Sequence, residues 1–307
     1  MSIPIVIDCD PGHDDAIAIL LALASPEVEL RGITTVAGNQ TLDKTTRNAL
    51  KVLELAGRSD IPVAAGADAP LERTLRVAAN VHGETGLDGP ALPEPTMQVV
   101  DAHAADFLAE LIEPGVVLVP TGPLTNVALL LQRHPDVRDR LERIVWMGGA
   151  IAEGNVTPAA EFNAFVDPEA AAIVFGSGIP VTLIGLDVTH QALFTRAHAD
   201  RLRDTGAAGR AVAELSDFFQ RFHESRYAFD GSPIHDALAV AHVIDPTLVT
   251  TVNCNIAIET ASEHCDGRTV VDRWLVLEDA PRNGHAGIDV DADRFLDLLV
   301  ERISTLA

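Results

Sequence analysis

Ile3-Pro4-Ile5-Val6-Ile7-Asp8-Cys9-Asp10-Pro11-Gly12-His13-Asp14-Asp15-Ala16-Ile17-Ala18-Ile19-Leu20-Leu21-Ala22-Leu23-Ala24 is the stretch whose reading decides the fold. Ile3–Ile7 is a short apolar run rich in β-branched residues, the mark of a buried strand. Residues 14–24 read as an apolar helix that stops at Ser25-Pro26. The same alternation continues outward. Leu30–Val36 is the next strand, and Leu42–Ala56 the next helix, closed by Gly57. Further buried strands are expected at Val116–Val119, Arg143–Met147 and Pro180–Leu186, with helices at Leu124–Gln132, Pro168–Phe175 and Asp291–Ile303. Such alternation implies an α/β fold with a mostly parallel sheet covered by helices on both faces. Ligands of such sheets bind beyond the carboxyl ends of the strands, so the loops there are where chemistry belongs.

The chain has 307 residues, 47% hydrophobic, which is ample for a large core. Its 22 basic and 45 acidic residues leave a net charge of −23. A chain this acidic is repelled by phosphate backbones and anionic lipid, so nucleic-acid and membrane-surface roles are disfavoured. No apolar run is long enough to span a bilayer. The N-terminal apolar run lacks a basic flank and meets Asp8 too soon for a signal peptide. Cys9, Cys254 and Cys265 show no C-x-x-C spacing, so a disulfide framework or zinc site is not expected and a reducing cytoplasm is.

Asp8, Asp10, Asp14 and Asp15 place four carboxylates within eight residues. Helix capping explains one or two, at roughly 0.3–1 kcal/mol each. Four crowded carboxylates repel one another unless a cation or several donors compensate, and hard divalent cations take clustered oxygens. An EF-hand is excluded, because its fifth, sixth and twelfth positions counted from Asp8 are Gly12, His13 and Ile19. A metal-dependent phosphatase of the haloacid-dehalogenase type also opens with Asp-x-Asp after a strand, with Thr or Val two residues on; Gly12 stands there instead. That reaction class, using Asp8 or Asp10 as nucleophile, is the first alternative. A non-catalytic nucleoside or ribose binder is the second.

Other strand-end loops carry polar residues. Asn39 leaves the second strand. Pro120-Thr121-Gly122-Pro123-Leu124-Thr125-Asn126 lacks the Gly-Lys-Ser/Thr of a P-loop, although the Thr121 carbonyl is placed to face a cation. Met147-Gly148-Gly149 ends another strand. If 161–163 is extended, Glu161 and Asn163 share one side, and with Asn155 they suit a polyhydroxyl ligand. Asp167-Pro168 reads as an N-cap with Pro at the first helical position. Leu215, Phe218, Phe219 and Phe222 form a helical core stripe, while His223 and Tyr227 lie on a neighbouring face. His235-Asp236 opens a helix running to about Val243.

These motifs in order, Asp8-x-Asp10-Pro11-Gly12-x-Asp14-Asp15, Ala37-Gly38-Asn39, Val81-His82-Gly83-Glu84-Thr85-Gly86-Leu87-Asp88-Gly89, Thr121–Asn126, Met147-Gly148-Gly149, Glu161-Phe162-Asn163 and His235-Asp236, resemble the nucleoside hydrolases, the inosine–uridine-preferring N-ribohydrolases. The match runs from residue 5 to about residue 240. The resemblance implies a three-layer αβα fold with a Rossmann-like sheet, one domain over residues 1–307. It implies Ca²⁺ held by Asp10, Asp15, Asp236 and the Thr121 carbonyl. It places Asp14, Asn39, Asn163 and Asp236 on the ribose 2′- and 3′-hydroxyls, and Asn155 and Glu161 on the 5′-hydroxyl with Met147 beside them. His82 counts among the substrate-binding residues, and His223 and Tyr227 fall where the family varies, leaving purine or pyrimidine preference open. A homodimer or homotetramer in cytoplasmic nucleoside salvage is implied as well.

The chemistry agrees. Breaking a C1′–N bond needs an activated water, a sugar driven toward an oxocarbenium ion and a stabilised leaving base. A bound Ca²⁺ acidifies water, and Asp10 is the expected base. Carboxylates beneath the ring favour the developing charge, and a water attacks, as in inverting glycosidases. His235, titrating near 6.5 if unperturbed, is the expected acid for the base.

Overall fold

In a computed structural model, which describes residues 2–306, the alternation read from sequence builds an eight-stranded sheet. Its first six strands are β1 (Ile3–Cys9), β2 (Val28–Thr35), β3 (Val63–Ala65), β4 (Val117–Pro120), β5 (Arg143–Met147) and β6 (Val181–Ile184). β7 (Leu193–Phe194) and β8 (Ser232–Pro233) form a small antiparallel pair. β9 (Val249–Cys254) belongs to the main sheet; β10 (Ile256–Ile258) and β11 (Thr269–Val271) make a second ribbon, and β12 (Gly284–Val290) returns to the sheet.

The order is β3-β2-β1-β4-β5-β6-β12-β9. Every neighbouring pair is parallel except β12 with β9. From β1 the chain first runs outward through β2 and β3, then returns to β4 on the other side and runs outward again. The reversal falls between the carboxyl ends of β1 and β4, the switch point where open α/β sheets bind ligands.

Side chains alternate across β1 and create the layers. Ile5 and Ile7 join one buried cluster with the His13–Ala24 and His235–Ile244 helices, and Val6 joins the other with Leu118, Val127 and Leu131. Full burial of each such side chain contributes about 1.5–3 kcal/mol. The His13–Ala24 helix is buried nearly all round and packs against the His235–Ile244 helix. That contact brings the acidic loop and His235-Asp236, far apart in sequence, to one place.

Three local expectations are corrected. Residues 162–166 are helical, with Glu161 as the N-cap, because the Glu161 carboxylate accepts the Asn163 and Ala164 N–H groups. The strand expected to reach Leu186 stops at Ile184, and Leu186–Thr189 is a helical turn. The aromatic stripe is split: Leu215 and Phe219 are buried, yet Phe219 and Phe222 line a cavity. Asp167 caps Pro168–Phe175 as expected, accepting from Ala170 N–H at 3.0 Å.

Candidate active site

At the switch point Asp8 pairs with Pro120 across β1 and β4, and the Thr121 N–H donates to the Asp8 carbonyl at 2.8 Å. Asp8 is fully buried. Its Oδ1 accepts from the Thr34 hydroxyl (2.6 Å) and the Asn126 amide (2.8 Å), and burial lifts its pKa to about 7. It is not among the residues that line the cavity described below.

Asp10 is also fully buried. Gly38 and Gly122 wrap its carboxylate so closely that a Cβ at either would collide with it. Oδ2 accepts the Asn39 N–H at 2.6 Å, whereas Oδ1 has no partner. Asp15 caps the helix, accepting from Gly12 N–H (2.9 Å), the Thr121 hydroxyl (2.8 Å) and the Asn39 amide (3.2 Å).

Carboxylate oxygens of Asp14, Asp15 and Asp236 lie within 4.8 Å of one another. This group contains Asp14, which the resemblance gave to the sugar, and leaves out Asp10, which it gave to the cation. Burial raises all four, with repulsion from neighbouring carboxylates adding to it for Asp10, Asp14 and Asp236: Asp14 to about 8, Asp10 and Asp236 well above the carboxylate range, and Asp15 upward against the hydrogen bonds that lower it. Buried carboxylates without counter-charge hold protons. An all-oxygen donor set with an orphaned Asp10 oxygen beside it therefore fits a hard divalent cation.

Above this floor is a cavity of about 450 Å³, in the range of small-molecule sites. Of the residues singled out from sequence, it is lined by Asp14, Asn39, His82, Thr121, Met147, Asn155, Glu161, Asn163, His223, Tyr227, His235 and Asp236; Asp10 and Asp15 lie beneath. The amides are held by their nitrogens. Asn39 Nδ2 donates to the Asp10 carbonyl and to Asp15, both at 3.2 Å. Asn163 Nδ2 donates to the carbonyls of Thr121 (2.8 Å) and Met147 (3.1 Å). Their Oδ1 atoms find no protein donor among the described residues and are free to accept hydroxyls. Asn155 is held the other way, its Oδ1 accepting from Phe162 N–H at 2.9 Å, so it offers an NH₂. Glu161 takes three backbone N–H groups, from Gly149 (2.7 Å), Asn163 (2.9 Å) and Ala164 (3.1 Å); burial still raises it to about 7.

The opposite wall is aromatic. Phe219, Phe222, Tyr227, His82, His190, His223 and His235 line it, with Arg76 and Arg226 also bordering the cavity. His190 was missed in the sequence; its position just beyond the carboxyl end of β6 was the available signal. It lies 5.5 Å from His235 and 6.0 Å from Tyr227, centroid to centroid. His235 Nδ1 sits 2.7 Å from the Thr189 hydroxyl. Burial pushes His235 well below its ordinary value, with the neighbouring histidines adding to the shift. The ring is thus neutral at neutral pH, and the expectation of ordinary titration near 6.5 is corrected.

A switch-point cavity with a carboxylate floor, amide acceptors and an aromatic wall defines a polyhydroxyl-ligand enzyme of the α/β class. The chain belongs to the inosine–uridine preferring nucleoside hydrolase family, whose model matches residues 5–297. It is similar to the pyrimidine-specific ribonucleoside hydrolase of Photobacterium profundum, 52% identical over 99% of both chains, and to that of Salmonella typhi, 52% identical over the whole of both. Among solved structures it resembles a purine-preferring ribonucleoside hydrolase from Gardnerella vaginalis, with a TM-score of 0.93 and 37% identity over 99% of this chain and 98% of that one. The protein is accordingly a ribonucleoside hydrolase, an N-glycosyl hydrolase. Among the described residues no helix is long and apolar enough to cross a membrane.

Proposed function

We propose that this enzyme hydrolyses pyrimidine ribonucleosides to free ribose and free base, with Ca²⁺ as its cation, in cytoplasmic salvage and as the homodimer or homotetramer the family resemblance implies. The observation that carries the reaction is the convergence of Asp14, Asp15 and Asp236 beneath a cavity with free Asn39 and Asn163 acceptors. The pyrimidine preference rests on the two relatives of 52% identity.

Asp14, Asp15 and Asp236, with the Thr121 carbonyl and Asp10 that the family resemblance implies, are the residues that would hold the cation. When bound it neutralises their charge and acidifies water. Asp10 Oδ1, unpartnered and backed by Gly122, is the atom left to take a proton from the attacking water. Asp14, Asp236, Asn39 and Asn163 orient the ribose diol. Asn155 offers its NH₂ to the 5′-hydroxyl, and Glu161 organises that corner through the three N–H groups it gathers. The carboxylates beneath the sugar favour its developing positive charge. His235 stands at the leaving base. With the Thr189 hydroxyl donating to Nδ1, its Nε2–H is directed at the base as a neutral donor.

A panel of ribonucleosides assayed for reducing sugar and free base tests this. Uridine and cytidine should be cleaved faster than inosine, without dependence on phosphate. Ribose 1-phosphate as the main product would reassign the enzyme as a phosphorylase, and faster cleavage of inosine would overturn the pyrimidine preference alone.

A further inference from the structure

The strap from Leu71 to Ala78 runs into the cavity wall, where Arg76, Val77 and Ala78 line the cavity ahead of the short Ala79–His82 helix. Its backbone is held only near its ends. The Leu71 N–H donates to Asp167 Oδ2 at 2.9 Å, and the Ala78 N–H donates to the Asn39 carbonyl at 3.0 Å. Among the described residues, the backbone of 72–77 forms no backbone–backbone hydrogen bond. Segments of this kind open most easily, so side chains must fix the strap. Arg73 is the one equipped to do so. Its guanidinium forks onto Glu169, Nε to Oε2 at 3.0 Å and Nη2 to Oε1 at 2.6 Å. Nη1 donates to the Asp266 carboxylate, and Nη2 also reaches the Thr260 carbonyl at 2.9 Å.

The clasp is mostly shielded from water, the three side chains being 28%, 19% and 25% exposed for Arg73, Glu169 and Asp266. Screening by salt is weak in such a setting, and a planar guanidinium serves two carboxylates and a carbonyl at once as an ammonium cannot. Its acceptors are themselves fixed. Glu169 stands in the first turn of the Pro168–Phe175 helix, which Asp167 caps. Thr260 and Asp266 lie on the loop joining β10 to β11. That loop is tied to the end of β5: the Thr269 hydroxyl donates to the Ala150 carbonyl at 2.6 Å and accepts the Ala150 N–H at 2.8 Å. Gly267, at φ +77°, lets the loop press on the Phe162–Val166 helix, since a Cβ there would come within 2.7 Å of Phe165 Cα. Arg76 in turn lies over the Phe165 ring, 5.1 Å from its centroid. Strap, helix and loop therefore meet around Arg73.

We infer that Arg73 is a positioning residue: by clasping Glu169 and Asp266 it moors the 71–78 strap and holds the cavity wall formed by Arg76, Val77 and Ala78 in the shape that binds the nucleoside. Arg73 itself is not among the residues that line the cavity. Releasing the strap lowers the fraction of enzyme competent to bind, and the apparent affinity falls by that fraction. The chemistry of the bound complex is untouched, so the loss belongs in KM and not in kcat. This rests on the functional reading above for the ligand, but not for the mooring.

Hydrogen exchange read by mass spectrometry in the wild type and Arg73→Met tests the mooring without reference to activity. Amides of residues 74–81 should exchange roughly 10- to 100-fold faster in the variant, with those of β1 and β4 unchanged. The uridine KM should rise roughly 3- to 30-fold, with kcat within about two-fold of wild type. Arg73→Lys keeps the charge but not the fork and should fall between; it carries the same test should Arg73→Met not fold. In a double-mutant cycle with Glu169→Gln, the pair should behave much as Arg73→Met alone, because both changes remove one contact. Unchanged exchange over 74–81, fully additive effects in the cycle, or an unchanged KM alongside a lowered Tm would each overturn the positioning role. Absence of nucleoside hydrolysis in the wild type would overturn the functional reading above and leave the exchange result to decide the mooring.

Discussion

Removing the divalent cation is expected to lower thermal stability, and by more as the pH rises. Asp14, Asp15 and Asp236 share a dry floor where burial raises their pKa values, with carboxylate repulsion adding to it for Asp14 and Asp236, Asp14 reaching about 8. Their unfolded values lie near 4. A carboxyl whose pKa is raised by folding stabilises the protein fully below its unfolded value and progressively less as pH climbs through the folded one. The slope is up to about 1.4 kcal/mol per pH unit for each proton bound on folding. The metal-free enzyme should therefore lose stability between about pH 4 and pH 8. A cation needs the deprotonated oxygens, so it binds weakly near pH 5 and well near pH 8.5, replacing what proton loss removes. At a Ca²⁺ concentration of about 100 times Kd, linkage supplies about 2.7 kcal/mol. For 307 residues the unfolding entropy near the midpoint is about 0.64 kcal/mol/K, so Tm should rise by about 4 °C. Scanning calorimetry with Ca²⁺ against chelator, near pH 5.5 and 8.5, reads this in the wild type and in Asp236→Asn. No shift at the higher pH, or an equal shift in Asp236→Asn, would refute the assignment of the floor as a cation site.

Asp10→Asn should cost roughly 10²–10⁴-fold in kcat, the range for a general base, with Tm near wild type; near-native kcat would remove Asp10 from the mechanism. His235→Ala should slow uridine and inosine hydrolysis by a similar factor while affecting p-nitrophenyl riboside far less, since p-nitrophenolate leaves without help; equal loss on both would make His235 a support for Asp236. Glu161→Ala strands three backbone N–H donors and should cost about 1–3 kcal/mol, or about 2–5 °C in Tm; an unchanged melting curve would show that Glu161 does not organise that corner.

β1, β2, β4, β5 and β6 were legible because each carries a short run of β-branched and other apolar residues, as buried parallel strands do; β3, only three residues long, was not expected. β9 and β12 were not, since Val249-Thr250-Thr251-Val252-Asn253-Cys254 and Gly284-His285-Ala286-Gly287 mix polar and small residues. Their pairing is fixed by neighbours distant in sequence. The acidic loop was legible from crowding alone. Which carboxylates converge was not: position 14 or position 10 facing Asp236 depends on how the His13–Ala24 helix meets the His235–Ile244 helix, a contact of tertiary origin. Phe219 and Phe222 mislead for a related reason. A period of 3.6 marks a face and is silent on whether that face meets core or cavity.

What the site binds follows from the atoms the protein leaves unmet. Asp15 and Glu161 are carboxylates by charge but caps by use, gathering backbone N–H groups from Gly12, Gly149, Asn163 and Ala164. Asn39 and Asn163 spend their NH₂ groups on carbonyls and carboxylates. Those bonds fix the rotamers, and in fixing them turn one class of atom outward: amide oxygens and the carboxylates of Asp14 and Asp236 on the floor. A ligand that complements such a surface carries hydroxyl donors, and a cation for the carboxylates. The orphaned Asp10 Oδ1 is the exception among the floor acids, with Gly122 so close that a Cβ there would come within 2.6 Å of it. An unmet buried acceptor costs about 1–3 kcal/mol, and in the mechanism proposed above this oxygen is the one that receives the proton of the attacking water.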